Sequence, residues 1–348
     1  MKYKKTLRNL AQFIFIALLA LSWAGCNKTA APEPQPKEST PPPQKIRVRL
    51  TWLYQASYVP FMVAKEKGFY SKQGLDVEVL PSGPDLRPIT PVVSGEDQFG
   101  VEGASSIIQA AANKVPLVVI GTYLQKSPEV FMARQSDNLK DIKDWRGKKV
   151  GVWIGTHVEP LFYAMLGKAG INRSEVQVVP AKYDIAPFLQ EGNDRVPLWN
   201  AYIYNEAQIP VEKGIPVDII TPESVGIRRA GEGIFASRSF VEKNPEIVKK
   251  FIAATIEGIS YTVAHQEEAI QILTSGKYGS GFDIEHQKNM LKAVAPLLTG
   301  DLDRPLTTDI SLWQDTAATS FLEPSAEPVD VKTFVRTNFV EGFYGEKK

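Results

Sequence analysis

Cysteine and histidine are almost missing from this sequence, which has one cysteine, Cys26, and three histidines among 348 residues. A single thiol cannot form an internal disulfide, and it excludes zinc or iron–sulfur centres built from several cysteines. Three histidines argue in the same way against a multi-histidine centre, although carboxylates alone could bind a hard cation. We therefore predict neither a metal site nor a cofactor.

An excess of charge of either sign is also missing, since 40 lysines and arginines are balanced by 39 aspartates and glutamates. Without a basic surplus, the chain lacks the electrostatic signature of a protein that binds nucleic acid. The composition, 43% hydrophobic and 10% aromatic, excludes a disordered or collagen-like chain. At about 150 residues per domain, the length favours roughly two domains.

The N-terminus has the pattern of an export signal: a basic head, an apolar run at residues 13–21 and small residues before Cys26. The run is shorter than the about 20 residues that span a bilayer, so we predict a signal peptide at residues 1–25. The Ala-Gly-Cys ending resembles a bacterial lipobox, which implies an acylated Cys26. Trp23 departs from that motif, which usually has leucine there. A plain signal peptide and an uncleaved anchor are the alternatives.

Residues 26–45 are predicted to form a lipidated, proline-rich tether. This stretch contains six prolines and no large apolar side chain, so it cannot bury enough surface to offset its ordering entropy. Proline-rich linkers are extended and semi-rigid, so the tether would hold a folded body away from a membrane. After residue 45 no stretch reads as a membrane span, and we expect a soluble body.

Strands alternate with helices through the body, which predicts an α/β fold with mainly parallel sheets flanked by helices. Strand patterns occur at residues 46–51, 75–80, 98–101 and 117–121. The alternation restarts at about residue 146 and gives way to a chiefly helical stretch after residue 245. We predict two lobes, a discontinuous first lobe at residues 46–133 plus 232–348 and a second lobe at 134–231. The chain would cross between them near Arg134 and Gly231.

Nearly the whole chain after residue 45 resembles the solute-binding proteins of bacterial ABC importers. The subgroup is the one that binds thiamine pyrimidine precursors, riboflavin, sulfonates and nitrate. The motifs that carry the resemblance, in chain order, are LTW at 50–52, AKEKGFY at 64–70, GLDV at 74–77, VPLV at 115–118, DWRGKKVG at 144–151 and NPEIVKKF at 244–251.

This resemblance implies a two-lobed clamshell of the type II periplasmic-binding fold, which closes on a solute by a hinge motion. It also implies that the solute is delivered to permease subunits in the membrane, which work with a cytoplasmic ATPase. We expect an exported monomer in a bacterial cell envelope, anchored to the membrane through lipid on Cys26, with the folded body in the periplasm or outside the cell.

Ligands of such sheets bind beyond the carboxyl ends of strands, so the residues that follow predicted strands are the candidates for solute binding. Aromatic rings there could stack on a planar solute, and amide or hydroxyl groups could bond its edges. Core packing, turns and helix caps are the alternatives that we keep for these positions. In the first lobe the candidates are Trp52, Tyr54, Gln55, Tyr58, Ser82, Gly83, Glu102, Ser105, Tyr123 and Gln125.

The second lobe offers two further groups of candidates, a Gly-Thr turn that opens a helix and a dense polar-aromatic stretch. They are Trp153, Gly155, Thr156, His157, Trp199, Asn200, Tyr202 and Glu206. About half of these aromatic residues are expected in the core. Arg228 and Arg229, at the second crossing, are read as solvated rather than as clamps on a ligand.

The predicted function is capture of a flat heterocyclic solute for import, because aromatic candidates are many and cationic ones at strand ends are few. A flavin or a thiamine pyrimidine precursor fits this pattern. Relatives that bind the pyrimidine have a loop resembling Trp-x-Pro-Asn followed by histidine, where this chain has Tyr54, Gln55 and Tyr58. A sulfonate binder is the alternative, and a sensor that signals to a membrane partner is a third possibility.

Catalysis is an alternative function of a different class, because the same superfamily contains thiamine-pyrimidine synthases. Those synthases need a cysteine-rich motif, and residues 227–233 hold no cysteine. Their active-site histidine aligns near Lys168 of this chain. No hydrolase, metalloprotease or kinase signature is present either, and we predict that the chain is not an enzyme.

Overall fold

The computed structural model describes residues 42–182, 184–322 and 328–346. The predicted signal peptide, Cys26 and most of the predicted tether lie outside the described residues. The fold is built on two five-stranded mixed sheets, which we call the sheets of the first and the second lobe.

The first sheet has the strand order β2-β1-β3-β10-β4. Its members are β1 (Gln44–Arg49), β2 (Leu75–Leu80), β3 (Phe99–Gly103), β4 (Leu117–Leu124) and β10 (Glu232–Ser237). Four strands run in one direction, and β10 runs antiparallel to both of its neighbours. The edge strand β2 alternates buried and exposed side chains, and the period-two pattern LDVEVL produces this alternation.

The second sheet repeats this plan with the order β7-β6-β8-β5-β9. Its strands are β5 (Glu129–Arg134), β6 (Lys149–Val152), β7 (Gln177–Pro180), β8 (Leu198–Tyr202) and β9 (Val217–Ile220). Here β5 is the single reversed strand, antiparallel to β8 and β9. The predicted fold class, two α/β lobes with mainly parallel sheets, is therefore confirmed.

The boundary between the lobes differs from the predicted one. The predicted first lobe runs to residue 133 and so includes most of β5, but this strand pairs only with strands of the second sheet. The first crossing is therefore residues 125–128, not the neighbourhood of Arg134. All six side chains of β5 are buried, so this strand has no polar alternation that would mark it in the sequence.

The two crossings run against each other, the second being residues 221–231. A Cβ atom on Gly231 would lie 2.4 Å from the Lys126 carbonyl oxygen, and the Gly231 N–H donates to the Leu124 carbonyl at 3.0 Å. Glycine is therefore required at the end of the second crossing, because any side chain would push the two segments apart.

Helices cover both sheets. In the first lobe they are α1 (Val59–Glu66), α2 (Phe69–Lys72), α3 (Ile89–Ser94), α4 (Ala104–Ala112), α8 (Arg238–Lys243), α9 (Pro245–Ala264), α10 (Gln266–Leu273), α11 (Ile284–Thr299), α12 (Ile310–Ala317) and α13 (Asn338–Glu346). In the second they are α5 (Val158–Lys168), α6 (Ala186–Leu189) and α7 (Gln208–Glu212). No helix within the described residues has the length and apolar character that crossing a membrane requires.

Local sequence explains where the main helices begin and end. Pro245 opens α9, since its fixed φ suits the first helical turn, and Asp283 caps α11 by accepting the His286 N–H at 3.1 Å. Helix α1 is closed by Gly68, whose φ of 74° lies in the left-handed region. The long face of α9 packs on α1 in the core of the first lobe.

Candidate functional site

A small cavity lies where the two lobes meet. It is lined by Thr51, Glu102, Gly103, Pro128, Glu129, His157, Tyr202, Gly231 and Glu232. These residues come from both sheets and from both crossings. The volume is about 10 Å³, room for a single water molecule. The lobes are therefore closed on each other, and a larger molecule can occupy this place only if they separate.

Strand direction explains why these side chains converge. Forward strands β3 and β8 end at this edge of their sheets, and the reversed strands β10 and β5 begin there. Glu232, the first residue of β10, is registered opposite Gly103, the last residue of β3. Glu129, the first residue of β5, is registered opposite Tyr202, the last residue of β8. Each sheet thus delivers one carboxylate beside the end of a forward strand.

Glu129 is a buried carboxylate with three partners. His157 Nε2 lies 3.0 Å from its Oε1, the Ser127 hydroxyl donates to its Oε2, and Arg229 Nε is 3.7 Å from the same oxygen. Burial alone would raise the pKa of Glu129, but Arg229 and His157 hold it at about 2. The side chain is therefore ionised throughout the physiological range.

Arg229 fastens the second crossing to the first lobe. Its Nη2 donates to Ser105 Oγ at 2.5 Å, and its Nη1 donates to the Thr319 hydroxyl at 2.8 Å. The side chain is only 1% exposed, and burial lowers its pKa. The prediction that both arginines of this stretch are solvated is therefore wrong for Arg229 and right for Arg228, which is exposed.

Glu102 is held by an arginine from the loop after β2. Arg87 Nη2 donates to its Oε1 at 2.6 Å and Nε donates to its Oε2 at 3.2 Å, a two-pronged arrangement. The Gly103 N–H donates to Oε1 at 2.9 Å. Glu102 is 1% exposed, so its charge is compensated within the protein.

Glu232 is the third carboxylate at the cavity, and it has the fewest partners. The Tyr58 hydroxyl donates to its Oε1 at 3.0 Å. No group among the described residues donates to its Oε2. Burial, together with the negative charges of Glu102 and Glu129, raises the pKa of Glu232 to about 8. This arrangement therefore favours a protonated Glu232 at neutral pH.

Aromatic side chains of the second lobe fill the remaining space. The ring of Tyr202 stacks on Tyr204 at 5.5 Å and meets Trp153 edge-on at 5.2 Å. Its hydroxyl lies 3.3 Å from His157 Nε2, and its N–H donates to Glu206 Oε2 at 2.9 Å. Tyr204 is 1% exposed and packs within the core cluster of the first lobe. The packing of Tyr204 on the first-lobe core therefore helps to hold the lobes in the closed arrangement.

A second contact between the lobes, which we call the α11–α7 contact, joins α11 to the end of α7 and the loop before it. His286 Nδ1 lies 3.0 Å from Glu212 Oε1, and His286 Nε2 lies 3.0 Å from Asn205 Oδ1. Asn289 donates to Glu212 Oε1 at 2.9 Å. The other end of α11 is capped by Gln125 of the first crossing, whose Nε2 donates to the Thr299 carbonyl at 3.2 Å.

Among the candidates of the first lobe, Glu102 lines the cavity and Tyr58 lies behind it. Tyr123 is outside the cavity lining: it is fully buried, stacks on Tyr58 at 6.2 Å and donates to the Ser57 carbonyl at 2.6 Å. Gln125 is also outside the cavity lining, and its amide caps α11. The Ser105 hydroxyl accepts a hydrogen bond from Arg229 Nη2.

The loop after β1 contributes less than predicted. The Tyr54 hydroxyl donates to the Val79 carbonyl at 2.7 Å, and Gln55 Nε2 donates to Ser57 Oγ at 2.9 Å. Trp52 is partly buried against the first-lobe core. Its carbonyl accepts the N–H of Ser82 at 3.0 Å, which joins this loop to the turn at Ser82 and Gly83.

In the second lobe, His157 and Tyr202 line the cavity, and Glu206 supports Tyr202. Trp199 is outside the cavity lining: it is 1% exposed and packs in the core on the opposite face of β8 from Tyr202. A Cβ on Gly151 would lie 2.2 Å from its ring, so that glycine makes the space for it. Strand alternation explains why Trp199 and Tyr202 lie on opposite faces, since side chains an odd number of positions apart point to opposite sides of a sheet.

The remaining second-lobe candidates shape the turn that carries His157. Asn200 Oδ1 accepts the Trp153 N–H at 2.8 Å, and the Thr156 hydroxyl donates to the Trp153 carbonyl at 2.7 Å. The Gly155 N–H donates to Glu159 Oε2 at 2.8 Å. These bonds fix the chain between β6 and α5, and so the position of His157.

Sequence reasoning missed Glu129, Glu232 and Arg87. A single carboxylate at the head of a buried apolar run such as EVFMAR is a usable signal, since a buried charge must find partners. The three carboxylates do not form a metal site: within the described residues, no group of three or more metal-ligating side chains is placed to hold an ion.

Comparison with known proteins places the chain among homologues. The NMT1/THI5 like family model matches residues 55–269, more than half of the chain. The riboflavin-binding protein RibY of Chloroflexus aurantiacus is 27% identical over 335 residues, covering 90% of each chain. A 4-amino-5-hydroxymethyl-2-methylpyrimidine phosphate synthase of Legionella pneumophila is 26% identical over 240 residues, covering 67% of this chain and 74% of that protein.

Solved structures agree with the architecture. The periplasmic aliphatic sulphonate binding protein SsuA of Escherichia coli superposes with a TM-score of 0.65 at 19% identity, covering 84% of this chain and 92% of that one. At this level of identity the likeness concerns the fold.

Proposed function

Because this chain belongs to the NMT1/THI5-like family, we propose that it is the extracytoplasmic solute-binding component of an ABC importer. The observation that carries the proposal is the cavity between the lobes, lined by groups from both sheets and both crossings. Ligands of two-lobed α/β proteins bind in such a crevice. A solute held there contacts both lobes at once, and its binding stabilises their closure.

The solute is a small aromatic heterocycle, riboflavin or a thiamine pyrimidine precursor. Tyr202 lines the cavity and Trp153 packs beside it, and these two rings support stacking on a planar solute. The relatives that bear names of this kind, a riboflavin-binding protein and a pyrimidine phosphate synthase, support the same class. A sulfonate is the weaker candidate, because no lysine or arginine is among the residues that line the cavity.

Transport follows from opening and closing about the two crossings. In the open form the packing of Tyr204 on the first-lobe core and the α11–α7 contact separate, and the solute enters between the lobes. Closure then buries it, and the closed form docks on permease subunits that work with a cytoplasmic ATPase. Residues 125–128 and 221–231 are the segments that absorb the motion.

The chain is exported and lipid-anchored in this proposal, with Cys26 as the acylated residue and residues 27–45 as the spacer. Cys26 and most of the spacer lie outside the described residues, and the support is the sequence pattern of a basic head, a short apolar run and a cysteine. The folded body then works as a monomer at the outer face of the membrane.

Binding without catalysis is the proposed activity, although one relative is named as a synthase. Residues 227–233 form the second crossing and contain no cysteine. Lys168, the position that resembles the synthases' active-site histidine, is the exposed last residue of α5. Neither position offers the chemistry for which the synthases use it.

Identification of the bound solute tests the proposal. The purified protein is unfolded, and any released compound is identified by mass and absorbance spectrum. The refolded protein is then titrated with riboflavin and with the hydroxymethylpyrimidine. We expect saturable binding of one solute per chain, and conversion of the solute into a new compound would contradict the proposal. Titration of a Tyr202→Ala variant, with Tyr163→Ala on the outer helix α5 as the matched control, locates the site: only the first should weaken binding.

A further inference from the structure

Three carboxylates meet at one cavity of the closed lobes, which is an unusual concentration of negative charge for a buried place. Two of them, Glu102 and Glu129, are compensated by partners from the protein. Glu102 has Arg87 and a backbone N–H, and Glu129 has His157, Ser127 and Arg229.

Glu232 is different, because only one of its two carboxyl oxygens has a donor. It is 4% exposed, lines the cavity and uses Oε1 to accept from Tyr58. Its Oε2 has no donor among the described residues. Leaving a buried polar atom without a partner destabilises the protein, because the atom has lost its hydrogen bonds to water. A bound molecule that donates a hydrogen bond to this atom would recover that free energy.

The cations near the cavity are already engaged. Arg87 donates to both carboxyl oxygens of Glu102 through Nε and Nη2, and Arg229 is divided between Ser105, Thr319 and Glu129. A phosphate or sulfonate placed here would lie beside ionised carboxylates without a free cation among the lining residues. Like charges in a desolvated place repel strongly.

We propose that the cleft selects an uncharged solute whose buried end carries an N–H or O–H donor, and that Oε2 of Glu232 accepts the hydrogen bond from this donor. The inference rests on the proposed function and narrows it to the unphosphorylated, non-anionic form of the solute. A site built around a hydrogen bond rejects analogues that lack the bonding group much more strongly than a hydrophobic pocket does.

Protonation of Glu232 predicts a specific pH dependence of solute affinity. Accepting a donor favours the carboxylate, so binding displaces the proton that Glu232 otherwise retains below a pKa of about 8. Affinity therefore rises as the pH passes through that value. The titratable and charged groups around Glu232 are Tyr58, Glu102, Tyr123, Glu129, Arg87, Tyr202, Tyr204 and His157.

The first test compares neutral and anionic forms of the same ring. The purified protein is titrated at neutral pH with riboflavin and its phosphate ester, with the hydroxymethylpyrimidine and its phosphate ester, and with taurine. We expect the neutral member of the pair that binds to be at least about tenfold tighter. Equal or tighter binding of a phosphate ester or of taurine overturns the inference but leaves the solute-binding function standing. Absence of binding by every probe refutes both.

The second test follows affinity and proton release against pH for the wild type, Glu232→Gln and Glu242→Gln. Glu242 is an exposed glutamate on α8 of the same lobe and serves as the matched control. We expect affinity to rise and protons to be released in the wild type and the control, with both effects lost in Glu232→Gln. An affinity that falls with rising pH, or a wild-type pH profile in Glu232→Gln, contradicts the inference. If Glu232→Gln does not fold, the wild-type protein alone still tests the inference, since its affinity must rise and not fall with pH.

Discussion

Glu129, at the end of the first crossing, lies 3.7 Å from Arg229 on the second, so one buried ion pair joins the two segments about which the lobes must move. Arg229 is also bonded to Ser105 and Thr319 of the first lobe, and Glu129 opens a strand of the second sheet. The pair therefore connects the lobes at the hinge itself, where its geometry changes least during closure.

Removal of the Glu129 charge should destabilise the protein strongly. In Glu129→Gln the buried Arg229 loses the carboxylate that pairs with it, and breaking such a pair from one side costs about 3–5 kcal/mol. Urea unfolding measures the loss. Glu191→Gln is the control, since the Glu191 side chain that pairs with Arg134 is 80% exposed, and an exposed pair contributes less than about 1 kcal/mol. Similar losses of unfolding free energy in both variants would show that the buried Glu129–Arg229 pair stabilises the protein no more than an exposed pair does.

Two buried glutamates should give stability opposite dependences on pH. Glu129 has a pKa of about 2, below the ordinary 4.5, so its contribution is present above pH 4.5 and is lost as the pH falls towards 2. Glu232 has a pKa of about 8, so the native state retains a proton that the unfolded state has released, and stability falls as the pH rises from 4.5 to 8. Unfolding free energies measured against pH should show the second slope in the wild type and a flatter one in Glu232→Gln. An unchanged slope would contradict the assignment.

The fold was largely predictable from the sequence because most strands have strong local hydrophobic patterns. The alternation of LDVEVL predicted β2 with the bounds that the structure has, residues 75–80. The missed strand β5 shows the limit of this signal. It lies in the interior of its sheet with both faces covered, and a fully buried strand has no polar period to detect.

The site was only partly predictable for a topological reason. Glu102 and Tyr202 stand at or near the ends of forward strands, where the rule about carboxyl ends of strands directs attention. Glu129 and Glu232 begin reversed strands, which start at the same edge of the sheet. Strand direction is a property of the assembled sheet, so one sequence read alone does not reveal that these four residues meet.

Trp52 and Trp199 test the difference between a site residue and a core residue. Trp199→Ala should lower the unfolding free energy by about 3–5 kcal/mol, because its ring is fully buried against Gly151 and the second-lobe core. Trp52 is half-buried beside the turn at Ser82, and Trp52→Ala should weaken solute binding at least about tenfold with little change in cooperativity. Thermal melts and solute titrations of both variants separate the two roles. If Trp52→Ala lowers the melting temperature and leaves affinity intact, Trp52 is a core residue.

Gly231 should be intolerant of any side chain. Gly231→Ala would place a methyl group 2.4 Å from the Lys126 carbonyl, and the two crossings would have to separate. Overpacking of this kind costs about 1–3 kcal/mol. Gly342→Ala is the control, since a methyl group at this position of α13 would meet no other atom within 4 Å among the described residues. Alanine there should be neutral or slightly stabilising. Equal melting temperatures for the two variants would mean that the crossings are not in close contact.

The α11–α7 contact should set how readily the lobes open. It lies about 20 Å along α11 from the Gln125 cap at the first crossing, at roughly 1.5 Å per residue, so a small rotation at the hinge displaces it far. His286→Ala removes the bonds to Glu212 and Asn205 without touching the cavity-lining residues. We expect the solute-free variant to have a larger radius of gyration in small-angle scattering than the wild type, and the two to converge when solute is saturating. His265→Ala, an exposed histidine at the end of α9, is the control and should scatter like the wild type. A wild-type profile for solute-free His286→Ala would show that the packing of Tyr204 on the first-lobe core holds the lobes closed without help from this contact.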